Sequence, residues 1–311
     1  MPDMSAAAPN RQPPAAALRW SARILGCSPV LVRGLRDGGS PWLLRAGARL
    51  VVLRTGEPGR ERQVAIEAAG LARAADIAIP APELLGHDAG RAAGGVPVLL
   101  SSGLPGVSTI PPEPVPGRLR ALGAMAARLH AVPCAPSADW PRRDHPIGDE
   151  DFAALRAGHD VGPLQREAQS VLDAAARDRA AAGAQRLGFV HGDLWQGNTL
   201  WVGDTLTGVV DWDAAGAGAP GVDLGSLRLD AAFCYGADLA DEVTAGWAEE
   251  AGRPADDVAY WDIVAALATP PGLGWFPEGI ATQAGRPDLT RKLLLRRHAD
   301  FLGRALDQLR S

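Results

Sequence analysis

The sequence predicts an α+β protein in two parts: a small N-terminal part built on an antiparallel sheet, and a larger, mainly helical C-terminal part. Three observations predict it. The N-terminal part holds short apolar runs separated by glycine-rich breaks, with one amphipathic stretch among them. From Gly117 onward most periodic stretches repeat at helical spacing. The exception is a cluster of short strand-like runs between Phe189 and Trp212, and it carries the polar residues that matter most.

Bulk properties narrow the classes. A chain of 311 residues with 47% hydrophobic content can bury a sizeable core in one or two domains. A net charge of -5 argues against a general nucleic-acid binder, which needs a basic face to displace counterions. Cys27, Cys134 and Cys234 are far apart and include no C-x-x-C pair, so reduced thiols and a cytoplasmic location are expected. No apolar run approaches the roughly 18 residues of a membrane span. Met1 to Ala17 is rich in Ala and Pro, without a basic n-region or a continuous apolar h-region. It does not read as a secretory signal, and residues 1–19 are expected to form a disordered tail. Lys292 is the only lysine, so basic roles fall to arginine.

In the N-terminal part, about residues 20–105, Pro29–Val32, Pro41–Leu44 and Arg49–Arg54 read as three strands of an antiparallel meander. Their connections are Arg36–Ser40 and Ala46–Ala48. The first is a glycine-rich turn whose backbone N–H groups can face phosphates, although an ordinary hairpin accounts for it as well. Gly59–Ala75 reads as a helix with Val64, Ala68, Leu71 and Ala75 on its apolar side and Glu67 within it. Ile79–Leu85 and Val96–Leu100 read as two further strands, separated by a turn at Gly90–Gly95. Ser101–Gly106 then breaks the pattern, and a proline-rich stretch to Pro116 leads into the second part.

The C-terminal part, about residues 106–311, opens with a helix over Gly117–Val132; His130 near its end reads as a capping or packing residue. Ala135–Asp160 is irregular and acidic, with Asp144, Asp149, Glu150 and Asp151. Pro163–Ala182 is helical. Leu224–Tyr235, Ala237–Glu250, Asp256–Ala268 and Asp288–Arg310 follow as helices, interrupted at Pro270–Phe276. Tyr260, Trp261, Trp275 and Phe276 read as core aromatics, with lining of a substrate cleft as the second reading. Gly216–Gly221 spells G-x-G-x-x-G, but Pro220 sits inside it and no strand follows to close a βαβ unit, so a dinucleotide site is rejected.

The chemistry is concentrated in two stretches. His191-Gly192-Asp193-Leu194-Trp195-Gln196-Gly197-Asn198 lies between the strands Phe189–Val190 and Thr199–Val202. Leu206–Trp212 reads as the next strand, with Asp211 at its end and Asp213 just beyond. Asp193 and Asn198 therefore project from one loop. A carboxylate there can orient or deprotonate a hydroxyl. An amide oxygen and a second carboxylate, Asn198 and Asp211, can hold Mg²⁺ against phosphates.

His-Gly-Asp-x-x-x-x-Asn, followed thirteen residues later by Asp211 of Asp-Trp-Asp, resembles the aminoglycoside phosphotransferase family, the small-molecule branch of the protein-kinase-like fold. The resemblance implies a two-lobe fold. It implies ATP as phosphoryl donor, Mg²⁺ as metal, and the hydroxyl of a small molecule, an aminoglycoside or another antibiotic, as acceptor. It assigns Asp193 as the catalytic carboxylate and Asn198 and Asp211 as metal ligands. Arg54 would hold the α- and β-phosphates, oriented by Glu67, with Glu61 as the other candidate partner. Arg stands where a Lys is usual; its fork binds phosphate well. Ser101 and Gly103 lie where the hinge meets the nucleotide base, and nothing in those side chains separates ATP from GTP. Asp223 looks like the family's structural acid at a helix start. His191 reads as a positioning residue and Asp213 as a secondary one. An acidic insert over the acceptor suits a cationic substrate; a solvated loop is the plainer reading of the same residues.

Rivals remain at this level. A metabolic kinase of the same family, acting on a sugar, amino alcohol or amino acid, is close. A protein kinase is disfavoured because Gly192 stands where an arginine is usual and no Ala-Pro-Glu segment follows Asp211. An inactive nucleotide-binding regulator is disfavoured by the presence of all three polar residues. A metal-dependent hydrolase using His191, Asp193 and Asp211 would release phosphate without an acceptor.

Overall fold

The computed structural model describes residues 12–36, 39–90, 92–157, 162–181, 186–274 and 276–310. By internal contacts the chain divides into two units. One comprises the residues up to Pro105 together with Gly208–Asp213; the other comprises Gly106–Thr207 and the residues from Ala214 on. The short segment that ends in Asp211 and Asp213 thus groups with the N-terminal elements.

The first unit contains α1 (Ala15–Leu25), β1 (Val30–Arg36), β2 (Gly39–Ala46), β3 (Arg49–Thr55), α2 (Glu61–Asp76), β4 (Leu84–Asp88) and β5 (Val98–Ser102). The strands form one antiparallel sheet in the order β1-β2-β3-β5-β4. Alternation along β3 decides its two faces. Val51 and Leu53 are fully buried in a cluster with Trp42, Leu44, Val98 and Leu100. Leu50, Val52 and Arg54 occupy the other face, where Leu43 lies opposite Val52 and Leu99 opposite Arg54.

Of the tail expected over residues 1–19, residues 1–11 lie outside the described residues, and α1 begins within the rest, at Ala15. Ala17, Trp20 and Ser21 of that helix are buried, and Ala17 and Trp20 join the sheet's apolar cluster. An Ala- and Pro-rich composition hides this because alanine is an excellent helix former and a single tryptophan supplies the anchor.

The second unit contains α3 (Pro116–His130), β6 (Arg142–Arg143), α4 (Asp149–Ala157), α5 (Pro163–Ala181), β7 (Gly188–Val190) and β8 (Thr199–Val202). After β9 (Thr205–Val209), which pairs with β8, come β10 (Gly216–Gly218), α6 (Gly221–Tyr235), α7 (Ala240–Ala251), α8 (Val258–Leu267), α9 (Phe276–Gln283) and α10 (Arg291–Arg310). Helix α6 is its axis: thirteen of its fifteen residues are buried, so it has no solvent face. Leu229, Ala232 and Phe233 of α6 share a core cluster with Ile263 and Val264 of α8 and Phe301 and Leu302 of α10.

Several segments differ from the sequence expectation. The acidic stretch taken as irregular contains β6 and α4, the latter anchored by buried Phe152. Glu150 and Asp151 fall at the start of α4, where negative charge suits a helix N-terminus. Between the expected interruption at Pro270–Phe276 and the last helix lies α9, whose Pro277 stands in the first turn, where proline fits. Gly216–Gly218 is a strand, pairing antiparallel with β7 and parallel with β6. A side chain on Gly218 would press on the carbonyl oxygen of Arg143 at 2.8 Å, so glycine there allows close strand approach.

Candidate active site

In the first unit the polar residues converge on Arg54. Its Nη1 donates to Glu67 Oε1 at 3.0 Å and to Asp211 Oδ1 at 2.5 Å, and its Nη2 donates to Asp213 Oδ2 at 3.1 Å. Arg36, at the end of β1, donates to the second oxygen of Asp211 at 2.7 Å. Both oxygens of Asp211 are thus held by guanidinium groups. The expected strand Leu206–Trp212 ends early, at Val209, whose N–H donates to Pro80 O. Asp211 then adopts φ 69°, a left-handed conformation uncommon for a residue with a side chain. Trp212 next to it is fully buried, with its indole N–H on Val209 O, and anchors this turn.

Burial works against the charge on Arg54, but the carboxylates of Glu67, Asp211 and Asp213 outweigh it and hold the guanidinium well above its ordinary pKa. Burial likewise raises Asp211, but Arg54 and Arg36 overcome it and hold that carboxyl below the usual range. Glu67 is the group that gives way: burial, with Asp211 and Asp213 nearby, pushes it up to about 7 despite its bond to Arg54. The Oε2 of Glu67 is buried without a hydrogen-bond partner among the described residues. Glu61 is not part of this group; it accepts the backbone N–H of Gly59.

The hinge candidates lie at the end of β5. Ser101 is buried, opposite Val52 of β3. The N–H of Gly103 already donates to Leu50 O at 2.9 Å, which leaves its carbonyl as the group a base could meet. Within the glycine-rich turn, Asp37 and Gly38 lie outside the described residues. Ser40 at its end exchanges hydrogen bonds with the backbone of Thr55.

In the second unit β7 delivers the chain into the Asp193 loop. Asp223, at the start of α6 and fully buried, accepts the backbone N–H of His191 and of Gly192, each at 2.8 Å. It also meets His130 Nε2 at 3.1 Å. Trp247 Nε1 donates to His130 Nδ1, so the imidazole proton sits on Nε2 and faces Asp223. Although burial works against its charge, these partners hold the Asp223 carboxyl below the usual range. Gly192 has φ 83°, and a side chain there would overlap the carbonyl oxygen of Ala214, so this turn needs glycine.

Asp193 itself is exposed, and its position is set by Asn198, whose Nδ2 donates to the Asp193 carbonyl at 2.9 Å and to its Oδ2 at 3.1 Å. Those two bonds fix the orientation of the amide and turn its oxygen away from Asp193. His191 is fully buried, and its Nδ1 accepts the N–H of Asp193.

Other expected residues fall into structural roles. Asp144 is paired with Arg142. Trp261 is in the core, and Tyr260 and Phe276 pack against it; Trp275 lies outside the described residues. The residues that sequence reasoning passed over are Arg36 and Asp230. Arg36 has no motif of its own, only its place beside the glycine-rich turn. Asp230 stands out only as a lone acid in an apolar helix.

An antiparallel sheet thus presents an Arg–Glu pair, and a helical unit presents an Asp-Asn loop. A family model described as the phosphotransferase enzyme family matches residues 32–261, and the chain belongs to that family. It is 30% identical over 143 residues to a homoserine kinase of Methylobacillus flagellatus, across 44% of this chain and 43% of that one. It is 32% identical over 126 residues to viomycin phosphotransferase of Streptomyces vinaceus, across 38% and 39%. These matches thus span about two fifths of each relative's own length. Among solved structures, a thermostable mutant of an aminoglycoside phosphotransferase in ternary complex with ADP and hygromycin B shares the fold. Its TM-score is 0.53 at 15% identity, covering 91% of this chain and 99% of that one.

Proposed function

We propose that this chain is an ATP-dependent O-phosphotransferase that moves the γ-phosphoryl group to a hydroxyl of a small molecule. The observation that carries this reading is the meeting of Arg54, Glu67 and Asp211, far apart in sequence, in one hydrogen-bonded group. In the reaction an acceptor oxygen bonds to Pγ, the bond from Pγ to the β,γ-bridging oxygen breaks, and ADP leaves with that electron pair. Asp193 orients the hydroxyl and takes its proton, a contribution of roughly 10²–10⁴-fold. Arg54 holds the α- and β-phosphates, kept in place by Glu67. Ser101 and Gly103 flank the base.

The donor set fits Mg²⁺. Asn198 offers a hard amide oxygen and Asp211 a carboxylate, and no group of three or more His, Cys, Asp or Glu side chains is placed to hold a metal ion by itself among the described residues. A site of one or two protein oxygens completed by phosphates is the usual magnesium arrangement. When bound, the ion neutralises charge developing on the phosphates. Asn198 and Asp211 would hold the ion, and Arg54, no longer needed by Asp211, would be available to the phosphates.

The acceptor is either an aminoglycoside or other antibiotic, or a sugar, amino alcohol or amino acid; the viomycin phosphotransferase match supports the first and the homoserine kinase match the second. The cytoplasm is the proposed location, in keeping with three cysteines spaced far apart in the sequence. The test is ADP or GDP release from Mg·ATP or Mg·GTP across aminoglycosides, basic peptide antibiotics, macrolides, sugars, homoserine and amino alcohols, with Asp193→Ala beside the wild type. Stimulation by one compound class, lost in Asp193→Ala, supports the reading and names the acceptor. Phosphate release without an acceptor that survives Arg54→Ala supports a hydrolase instead. Absence of nucleotide binding overturns the reading.

A further inference from the structure

We propose that Asp230 is a positioning residue for the Asp193 loop, acting through Gln196; this rests on the phosphotransferase reading above. Asp223 and Asp230 lie seven residues apart on α6. Seven residues is about two turns, so the two carboxylates share one side of the helix. Asp223 holds the loop before Asp193 by the N–H groups of His191 and Gly192. Asp230 holds it after Asp193: its Oδ2 accepts the backbone N–H of Gln196 at 3.1 Å and the Gln196 side-chain Nε2 at 2.7 Å. One helix thereby grips the loop on both sides of the residue that does the chemistry.

The grip is transmitted by short links. Gln196 opens the single 3₁₀ turn Gln196–Asn198, and its carbonyl accepts Thr199 Oγ1 at 2.6 Å. Asn198 closes that turn and bonds Asp193 through both the carbonyl and the carboxylate. A displacement at Gln196 therefore moves Asn198, and Asn198 moves Asp193.

Asp230 is an expensive choice for stability alone. It is 3% exposed, within a helix whose neighbours Ala231, Ala232 and Phe233 are completely buried. Burial pushes its carboxyl up to about 6, against the pull of the two Gln196 donors. Its other oxygen meets the thiol of Cys234, at 3.9 Å. A buried carboxylate is often less stabilising than an apolar side chain of similar size. What the apolar side chain lacks is an acceptor at a fixed place, and two donors of Gln196 require one.

Three variants test this. Asp230→Ala removes the acceptor, Asp230→Asn keeps one oxygen for both Gln196 donors, and Gln196→Met removes only the side-chain donor at matched length. With the acceptor found by the panel above, Asp230→Ala is expected to lower kcat about 100-fold while KM for ATP stays within about threefold, the size of loss that misplacement by an ångström produces. Gln196→Met should lower kcat about tenfold, and Asp230→Asn should remain within about fivefold of wild type. Amide hydrogen exchange on the nucleotide-free full chain gives an activity-independent readout. The 191–199 peptide should exchange faster in Asp230→Ala, with other peptides unchanged, and should be restored in Asp230→Asn. Should the wild type turn over no acceptor, the functional reading fails while the exchange result still decides the positioning role. A folded Asp230→Ala with wild-type kcat and wild-type exchange at 191–199 overturns the proposal. So does a rise in exchange spread over the whole chain, the mark of a merely structural residue. If Asp230→Ala does not fold, unchanged kcat and exchange in Gln196→Met overturn it.

Discussion

Asp211 in one unit and Asp223 in the other are both carboxylates held by several donors, yet the donors differ in kind. Asp211 is held by two guanidinium groups at the ends of long side chains, and one of them, Arg36, is 48% exposed. Asp223 is held by two backbone N–H groups and an imidazole whose tautomer is fixed by Trp247. Charged side chains can swing away and be replaced by another cation. Backbone donors cannot leave without unwinding the loop that carries them. The first arrangement suits a residue that must change partners when a metal and phosphates arrive. The second suits one that must keep a loop still. Disturbing Asp211's partners should therefore change ligand affinity, and disturbing Asp223 should change stability and geometry.

The largest effect is expected from Asp223→Ala. It leaves three buried donors, at His191, Gly192 and His130, without an acceptor, and each orphaned group carries a desolvation penalty of about 1–3 kcal/mol. A loss on the order of 3–5 kcal/mol in denaturant unfolding is expected, with turnover falling alongside. A loss below about 1 kcal/mol would mean that water or a shifted side chain replaces the acceptor, and the contrast between the two units would collapse.

Arg54→Ala should act differently. It removes the cation shared by Glu67, Asp211 and Asp213. Glu67 can take up a proton and Asp211 keeps Arg36, so the stability loss is expected to stay near 1–2 kcal/mol, below that of a stranded buried charge. On the proposed role of Arg54, nucleotide affinity should fall by about 10–100-fold with the loss of a charge-assisted fork to phosphate. Calorimetric titration with Mg·ATP checks the affinity. A variant that unfolds but, where folded, binds nucleotide normally would reverse the comparison.

How much of this was legible depended on whether the signal was local. The grouping of Asp193 with Asn198 follows from their place on one short loop. The pairing of Arg54 with Glu67 and the placement of Asp223 at a helix start come from the family resemblance, which the motif around Asp193 carries. Arg36 was not legible because its contact with Asp211 joins residues 175 apart through side chains, which leave no periodic trace. Asp230 was not legible because an acid in a helix reads as a solvent-facing residue until every face of that helix is known to be covered. Helix α1 was missed for the opposite reason: its sequence looks like a tail, and only the burial of Ala17 and Trp20 makes it structure.

A pH series on Glu67→Gln sharpens the comparison within the first unit. The folded-state carboxyl of Glu67 is raised from 4.5 to about 7, first by burial and then by its acidic neighbours. A raised pKa gives stability that is fully present below the unfolded value and is lost as pH rises through the folded one. The nucleotide-free wild type should therefore lose stability relative to Glu67→Gln between about pH 4.5 and 7, by an amount on the order of 1–3 kcal/mol, and the difference should be flat above that. Thermal unfolding of both proteins at pH 5 and pH 8 measures it. A wild type that gains on the variant as pH rises would show that the bond to Arg54 dominates over burial.

The smallest effect is expected from Arg36→Gln, and it bears most directly on how exchangeable the Asp211 partners are. The Arg36 side chain is about half exposed, whereas Arg54 is 22% exposed and bonded to three carboxylates. An exposed ion pair contributes about 0–1 kcal/mol and weakens with salt. Arg36→Gln should therefore change stability by less than about 1 kcal/mol, and that difference should shrink at roughly 0.5 M salt. Affinity for Mg·ATP should change by less than about threefold if, as proposed, Asp211 exchanges this partner for the metal and Arg54 holds the phosphates. If Arg36→Gln instead weakens nucleotide binding as severely as Arg54→Ala, the two arginines form one fixed clamp. Asp211 would then be held as firmly as Asp223, by cations in place of backbone.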